Sequence, residues 1–166
     1  MLSLQTERLQ MEIIQPSDFD EILEIFNEKD IFKYISPLQN LSRVEHVLKL
    51  HRKVNEAKNK EGYIWAVREK GTQELVGLIN LNQLPDTNDI QIGWILSSKF
   101  QGKGYAYESA KVAFDYGVND WKVNPIFAIV EDGNIPSEKI ALKLGLEFRH
   151  YFTQDDVKLK LFSYCK

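Results

Sequence analysis

The residues best suited to chemistry lie in two short polar stretches. Gln101-Gly102-Lys103-Gly104-Tyr105-Ala106 stands between an alternating apolar segment (Ile90, Ile92, Trp94, Leu96) and one with apolar or small residues at helical spacing (Ala106, Ala110, Ala113, Phe114, Gly117). A glycine-containing turn at such a junction leaves the first amide N–H groups of the helix free, and the helix dipole favours negative charge there. The pattern reads as a phosphate cradle, or as a helix start that needs glycine only for its backbone geometry. Asn134-Ile135-Pro136-Ser137 opens another helix directly after an apolar run, with Pro136 in the early turn where its missing N–H costs nothing. Asn134 is either a helix cap or a ligand contact, and Ser137 either a solvent-facing first-turn serine or a site residue.

Two common glycine loops are excluded. A Walker loop has four residues between its first glycine and Gly-Lys, then Ser or Thr, whereas Gly102-Lys103 is followed by Gly104. A dinucleotide fingerprint needs Gly or Ala three residues after Gly104, where Tyr107 stands. Metal chemistry finds no support either. His46 and His51 are five apart, not the three or four that put two imidazoles on one helical face, and His150 has no Cys or carboxylate cluster around it. Both His46 and His51 are read as surface or rim residues. The single cysteine, Cys165, excludes an internal disulfide and reads as a small apolar filler on a strand.

Seven strand patterns and four helix patterns position these stretches. Strands are expected over Arg8–Ile14, Tyr63–Arg68, Leu75–Leu84, Asp89–Leu96, Ile126–Val130, Leu146–Phe152 and Val157–Tyr164. The first helix starts at Pro16-Ser17-Asp18, capped by Ser17 or Asp18, with an apolar face of Phe19, Ile22, Leu23, Ile25 and Phe26. A short apolar piece, Ile31 to Ile35, stops at Pro37. The second helix has the capping-box spacing Ser42 to Glu45, runs to about Lys60, and carries apolar positions Val44, Val47, Leu48, Leu50 and Val54. The third ends near Asn119, and the fourth, Ile135 to Leu144, is stopped by Gly145. Three strands joined by tight turns arrive antiparallel at the glycine loop; Ile126–Val130 then follows a helical crossover, the connection a parallel pair requires. The two helix starts therefore face one another across adjacent strand ends, where ligands bind in open sheets. Trp65 and Trp94 are read as core aromatics, with the cleft as the alternative.

A chain of 166 residues suits one domain over residues 1–166, burying roughly 70% of its unfolded surface. The apolar fraction of 43% and charged fraction of 27% are those of a soluble globular protein, with no run long enough to span a membrane. A net charge of −3 argues against a nucleic-acid footprint and suits a cationic partner such as an amine. No basic-then-apolar signal precedes Thr6, so a cytoplasmic location is expected, as monomer or homodimer.

Gln101-x-x-Gly104-x-Ala106 resembles the coenzyme A loop of the GCN5-related N-acetyltransferase (GNAT) superfamily, and Asn134-x-x-Ser137 followed by Lys143-Leu144-Gly145-Leu146 is similar to its second conserved block. Thr6-Glu7-Arg8-Leu9 and Asp30-Ile31-Phe32-Lys33-Tyr34 resemble the branch containing the ribosomal-protein alanine acetyltransferases. The resemblance implies an α/β GNAT fold: one mixed, mostly antiparallel sheet of six to seven strands, with a central parallel pair splayed around the cofactor and about four flanking helices. It implies acetyl-CoA as donor and a primary amine as acceptor, either a protein N-terminus or a small amine such as a polyamine or aminoglycoside. Pantetheine would run beside Ile95 and Leu96, with Asn134 positioning it. The pyrophosphate would take the amides of Gln101, Gly102, Lys103, Gly104, Tyr105 and Ala106, assisted by Lys103 and Lys139. A backbone N–H of the Leu96 strand would polarise the thioester carbonyl. Ser137 would protonate the departing thiolate, and Phe32, Tyr34 and the second helix would cover the acceptor. The departure is Gln91, where many relatives carry Glu; an amide cannot be a general base, which leaves Glu131 or water. That glutamine also motivates an alternative, a catalytically weak CoA-binding module with a regulatory or interaction role.

Overall fold

The structure is a computed structural model that describes residues 2–166. Its strands are β1 (Ser3–Gln5), β2 (Leu9–Ile13), β3 (Tyr63–Glu69), β4 (Leu75–Gln83), β5 (Ile90–Leu96), β6 (Ile126–Glu131), β7 (Glu147–Gln154) and β8 (Val157–Tyr164). Its helices are α1 (Phe19–Phe26), α2 (Arg43–Lys58), α3 (Tyr105–Asn119) and α4 (Ile135–Leu144). All eight strands join one sheet in the order β1-β2-β3-β4-β5-β6-β8-β7, one strand more than expected because Ser3–Gln5 adds an edge against β2. Every pairing is antiparallel except β5 with β6, where the crossover through α3 brings the chain back in the same direction. Among the described residues no helix is long and apolar enough to cross a membrane.

The parallel pairing is short. Only Ile90 with Ile126 and Gln91 with Phe127 are in register. Beyond Gln91, β6 remains paired with β8 up to Glu131, while β5 continues along β4 to Leu96. The edge of β5 from Ile92 onward therefore faces an opening and, among the described residues, has no strand partner on that side. Gly77 of β4 permits this course, since a Cβ there would lie 2.1 Å from the carbonyl oxygen of Ile95.

Alternation along the strands builds two cores. On one face, Trp65, Ile79, Leu81, Ile92 and Phe162 pack under α3 and α4. On the other, Ala66, Leu75 and Leu78 meet Phe19, Ile22 and Ile25 of α1 and Leu50 and Val54 of α2. Full burial of each such aliphatic side chain is worth about 1.5–3 kcal/mol against its exposed state.

Several local expectations are corrected. Ser17 and Asp18 do not cap the first helix from its N-cap position. Pro16–Asp18 form a short 3-10 turn, and the Asp18 carboxylate instead accepts from the Gln15 N–H at 2.8 Å. On α2 the Ser42/Glu45 box forms, but the helix ends at Lys58 and its buried stripe is His46, Leu50 and Val54, four residues apart. Val44 and Leu48, expected on the apolar face, fall on the opposite stripe and are 67% and 55% exposed. His46 is thus buried rather than a rim residue, stacked against Phe32 and tilted on Phe26. Burial holds its imidazole below the usual histidine range. Cys165 lies past the end of β8 and is exposed, not a core filler.

Candidate active site

The opening between β5 and β6 leads from the free edge of β5 to the glycine loop. Gly102 and Gly104 both take positive φ, +79° and +82°, a region that costs an L-residue roughly 1–2 kcal/mol. Gln101 to Gly104 are exposed, and a Cβ on Gly102 would meet nothing within 4 Å. Among the described residues no hydrogen bond takes up the N–H groups of Gly102, Lys103 or Gly104, and α3 has no side-chain cap, so its first amides also point outward. Three residues of the loop make contacts within the protein. The Gln101 N–H is used on the Ser98 carbonyl at 3.3 Å, and its side chain donates to the Leu96 carbonyl at 3.1 Å, tying the loop to the end of β5. The Tyr105 side chain turns into the core, 6% exposed, where Arg8 lies over its ring at 4.4 Å and its hydroxyl bonds Glu69. The Lys103 ammonium rests 5.3 Å from the Phe100 ring centroid. The amides without a partner therefore run from Gly102 into the first turn of α3.

The N-terminal part of the chain braces this loop at two points. Glu28, just past α1, accepts from the Ser97 hydroxyl and the Ser98 N–H, each at 2.9 Å, at the root of the loop. In the first turn of α3, Glu108 is gripped by the Arg8 guanidinium, with Nε at 2.7 Å, and by the Thr6 hydroxyl. Burial pushes the Glu108 carboxyl upward, but the Arg8 and Thr6 bonds prevail and hold it below the usual range. In the sequence Thr6 and Arg8 stand out only through a resemblance, and Glu28 and Glu108 do not stand out at all. No local signal marks them, because each partner lies 69 to 102 residues away.

Across the opening, Asn134 caps α4, its Oδ1 accepting from the Ser137 N–H at 3.4 Å. Ser137 is not solvent-facing: its Oγ accepts the Trp94 indole N–H at 3.1 Å. Since indole only donates, the serine oxygen is the acceptor in this bond and its own hydroxyl proton is left for another partner. Trp94 is thus half-buried at the cleft, whereas Trp65 is fully buried in the core. Lys160 bonds Glu138 at 2.7 Å and so anchors the first turn of α4 to β8; that bond holds the ammonium above the usual lysine range. Lys139 is exposed.

On the α1/α2 side, the segment between those helices folds toward the same opening. The Ser36 hydroxyl donates to Glu131 at 3.0 Å, and the Tyr34 ring lies 3.9 Å from where a Gly133 Cβ would be. Phe32 does not join them; it packs between Phe26 and His46 and lines a pocket of about 200 Å³ with Leu38, Leu41 and Arg43. Gln91 sits at the last paired position of β5, opposite Phe127. Among the described residues no group of three or more His, Cys, Asp or Glu could hold a metal ion.

The arrangement of free amides, free strand edge and oriented hydroxyl fits a pantetheine-bearing thioester and its pyrophosphate. Comparison with known proteins gives the same direction. The chain is 25% identical over 151 residues to an uncharacterised N-acetyltransferase, YnaD, of Bacillus subtilis, covering 91% of this chain and 86% of that one. It superposes on a GNAT-family acetyltransferase from Bacillus anthracis with a TM-score of 0.84 at 22% identity, over 99% and 98% of the two chains. It also superposes on RimL, a ribosomal-protein alpha-N-acetyltransferase in complex with coenzyme A, with a TM-score of 0.83 at 13% identity over 96% and 95%. At such identities the superpositions establish the fold. Residues 8–147 match the acetyltransferase (GNAT) domain, and the chain belongs to that family of acetyl-CoA-dependent N-acetyltransferases.

Proposed function

We propose that this N-acetyltransferase passes the acetyl group of acetyl-CoA directly to a primary amine, either a protein N-terminal α-amine or a small amine. The observation that carries the reading is the end of β5–β6 pairing at Gln91, which leaves one strand edge open between the Gly102–Ala106 amides and the Ser137 hydroxyl. The free edge of β5 holds the pantetheine arm as a neighbouring strand would, and the positive end of α3 receives the pyrophosphate. Bound in this way, acetyl-CoA supplies an activated acyl group, and most of the rate gain comes from holding the amine beside it. Ser137, with its oxygen engaged by Trp94, offers its proton toward the departing sulfur. Glu131 shares one carboxylate oxygen with Ser36 and keeps the other for a proton; water takes that role if Glu131 does not.

The test is thiol release from acetyl-CoA over a panel of amines that includes spermidine and an alanyl peptide. Acceptor-dependent release is expected, and Ser137→Ala lowers kcat by about 100-fold, the lower range for proton transfer by a positioned group, with KM for acetyl-CoA nearly unchanged. Binding of CoA without release for any amine favours the catalytically weak module instead, the reading that Gln91 motivates.

A further inference from the structure

On the α1/α2 face of the sheet, the aliphatic pattern of β4 gives way to two amides. Asn80 and Asn82 stand opposite Gly93 and Gln91 of β5, on the side of the sheet where Leu78 and Ile95 meet the α1/α2 core. Asn82 is 8% exposed, so its amide has to be satisfied within the protein. Its Nδ2 donates to the Gln83 carbonyl at 3.0 Å. A main-chain carbonyl only accepts, which decides which end of the Asn82 amide faces it. The Asn82 Oδ1 is left to face Asn80, and because that oxygen also only accepts, Asn80 turns its Nδ2 to it. The remaining end of Asn80, its Oδ1, is therefore directed over Gly93, where a Cβ would lie only 2.7 Å from it. No described residue donates a hydrogen bond to this oxygen. Gly93 itself lies just beyond Gln91, where β5 has parted from β6.

A chain of amides anchored on one carbonyl thus holds an unused hydrogen-bond acceptor at the mouth of the splay. Its charge is zero, so it orients a donor without taking the donor's proton. We propose that Asn80 Oδ1 accepts an N–H of the attacking amine and that Asn82 is the positioning residue that keeps this oxygen turned toward the cleft. The inference rests on the acetyl-transfer reading above. With one N–H held by Asn80, the nitrogen lone pair is left to point away from that oxygen, and the acceptor enters as an uncharged amine bearing at least one N–H.

Two conjugates of CoA test this without turnover. In one, the sulfur carries a carboxymethyl group joined as an amide to butylamine, so that an N–H stands where the amine would attack; in the other that nitrogen is methylated. Calorimetry on the wild type is expected to show the N–H conjugate binding about three- to tenfold more tightly, the size of one neutral hydrogen bond. Asn80→Ala abolishes the preference and leaves CoA affinity unchanged. Asn80→Ser, which retains a donor for Asn82 but withdraws the acceptor from Gly93, does the same if the alanine variant fails to fold. Asn82→Leu removes the amide that holds Asn80 Nδ2 and is expected to reduce the preference at least about twofold. CoA affinity, which a merely structural disturbance of the sheet would lower, is expected to stay unchanged in that variant. A preference that survives Asn80→Ala, or is missing from a wild type that binds CoA normally, overturns the role of Asn80 alone. A wild type that does not bind CoA overturns the acetyl-transfer reading and this inference together.

Discussion

The two sides of the β5–β6 opening are built from different materials. The side proposed to take the donor is backbone: two glycines at positive φ, the first amides of α3 and an unpaired strand edge, braced by Glu28 and by the Thr6–Arg8–Glu108 cluster. The side proposed to take the acceptor is side chain: Asn80, Gln91, Tyr34 and the Ser36–Glu131 bond, drawn from four separate segments. Backbone amides bind phosphate whatever the neighbouring residues are, so the donor side can stay constant while the acceptor side varies. A donor site of this kind tolerates change poorly, because its glycines have no substitute; an acceptor site of side chains can be remodelled one residue at a time.

Substitutions should separate the two sides by size and by which ligand they affect. The largest effect is expected from Gly104→Glu, which strains the backbone by roughly 1–2 kcal/mol and places a carboxylate at the anion cradle. Acetyl-CoA affinity measured by calorimetry should fall by more than about 100-fold, given losses of 1.5–3 kcal/mol for each charged hydrogen bond. An unchanged affinity would remove the cradle from the donor side. Next in size is Phe32→Ala, which opens the Phe26–His46 stack and loosens the segment carrying Tyr34 and Ser36. Initial rates should show a KM for the amine raised about tenfold, as for an interaction lost in both ground and transition states, with KM for acetyl-CoA little altered. Equal effects on both substrates would erase the division. The smallest is Glu108→Gln: a half-exposed ion pair is worth no more than about 1 kcal/mol. Thermal melting should drop by about 2–4 °C, with acetyl-CoA binding weakened severalfold and the amine KM unaffected.

Acid offers a graded form of the same perturbation. The Glu108 carboxyl is depressed in the folded protein, so its contribution is complete above the ordinary glutamate range near pH 4.3 and is lost as pH falls through the lower folded value. Melting temperature followed below about pH 4 should fall more steeply for the wild type than for Glu108→Gln. Parallel curves would show that Arg8 and Thr6 do not hold the loop through this carboxylate.

Legibility in the sequence follows the same division. The strand and helix patterns were readable because period two and period 3.6 act within a segment, and the Ser42/Glu45 box and Gly145 stop act within a few residues. Period alone misplaced the stripe of α2. Val44 and Leu48 are apolar and exposed while His46 is buried, because Phe26 and Phe32 supply a surface that an imidazole can stack on. The edge strand Ser3–Gln5 is not legible, since three residues carry no usable alternation.

The amino-acid sequence by itself determined the glycine loop, the two helix starts and the crossover that makes β5 and β6 parallel. Each depends on local backbone preference or on chain connectivity. Only the tertiary structure decided that pairing stops at Gln91, that Trp94 turns the Ser137 hydroxyl, that Glu108 is gripped from the N-terminus and that Asn80 presents a free oxygen over Gly93. Those features are hydrogen bonds between groups distant in the chain or on neighbouring strands. Their geometry is set by strand register and helix packing, and these exist only once the whole sheet has assembled.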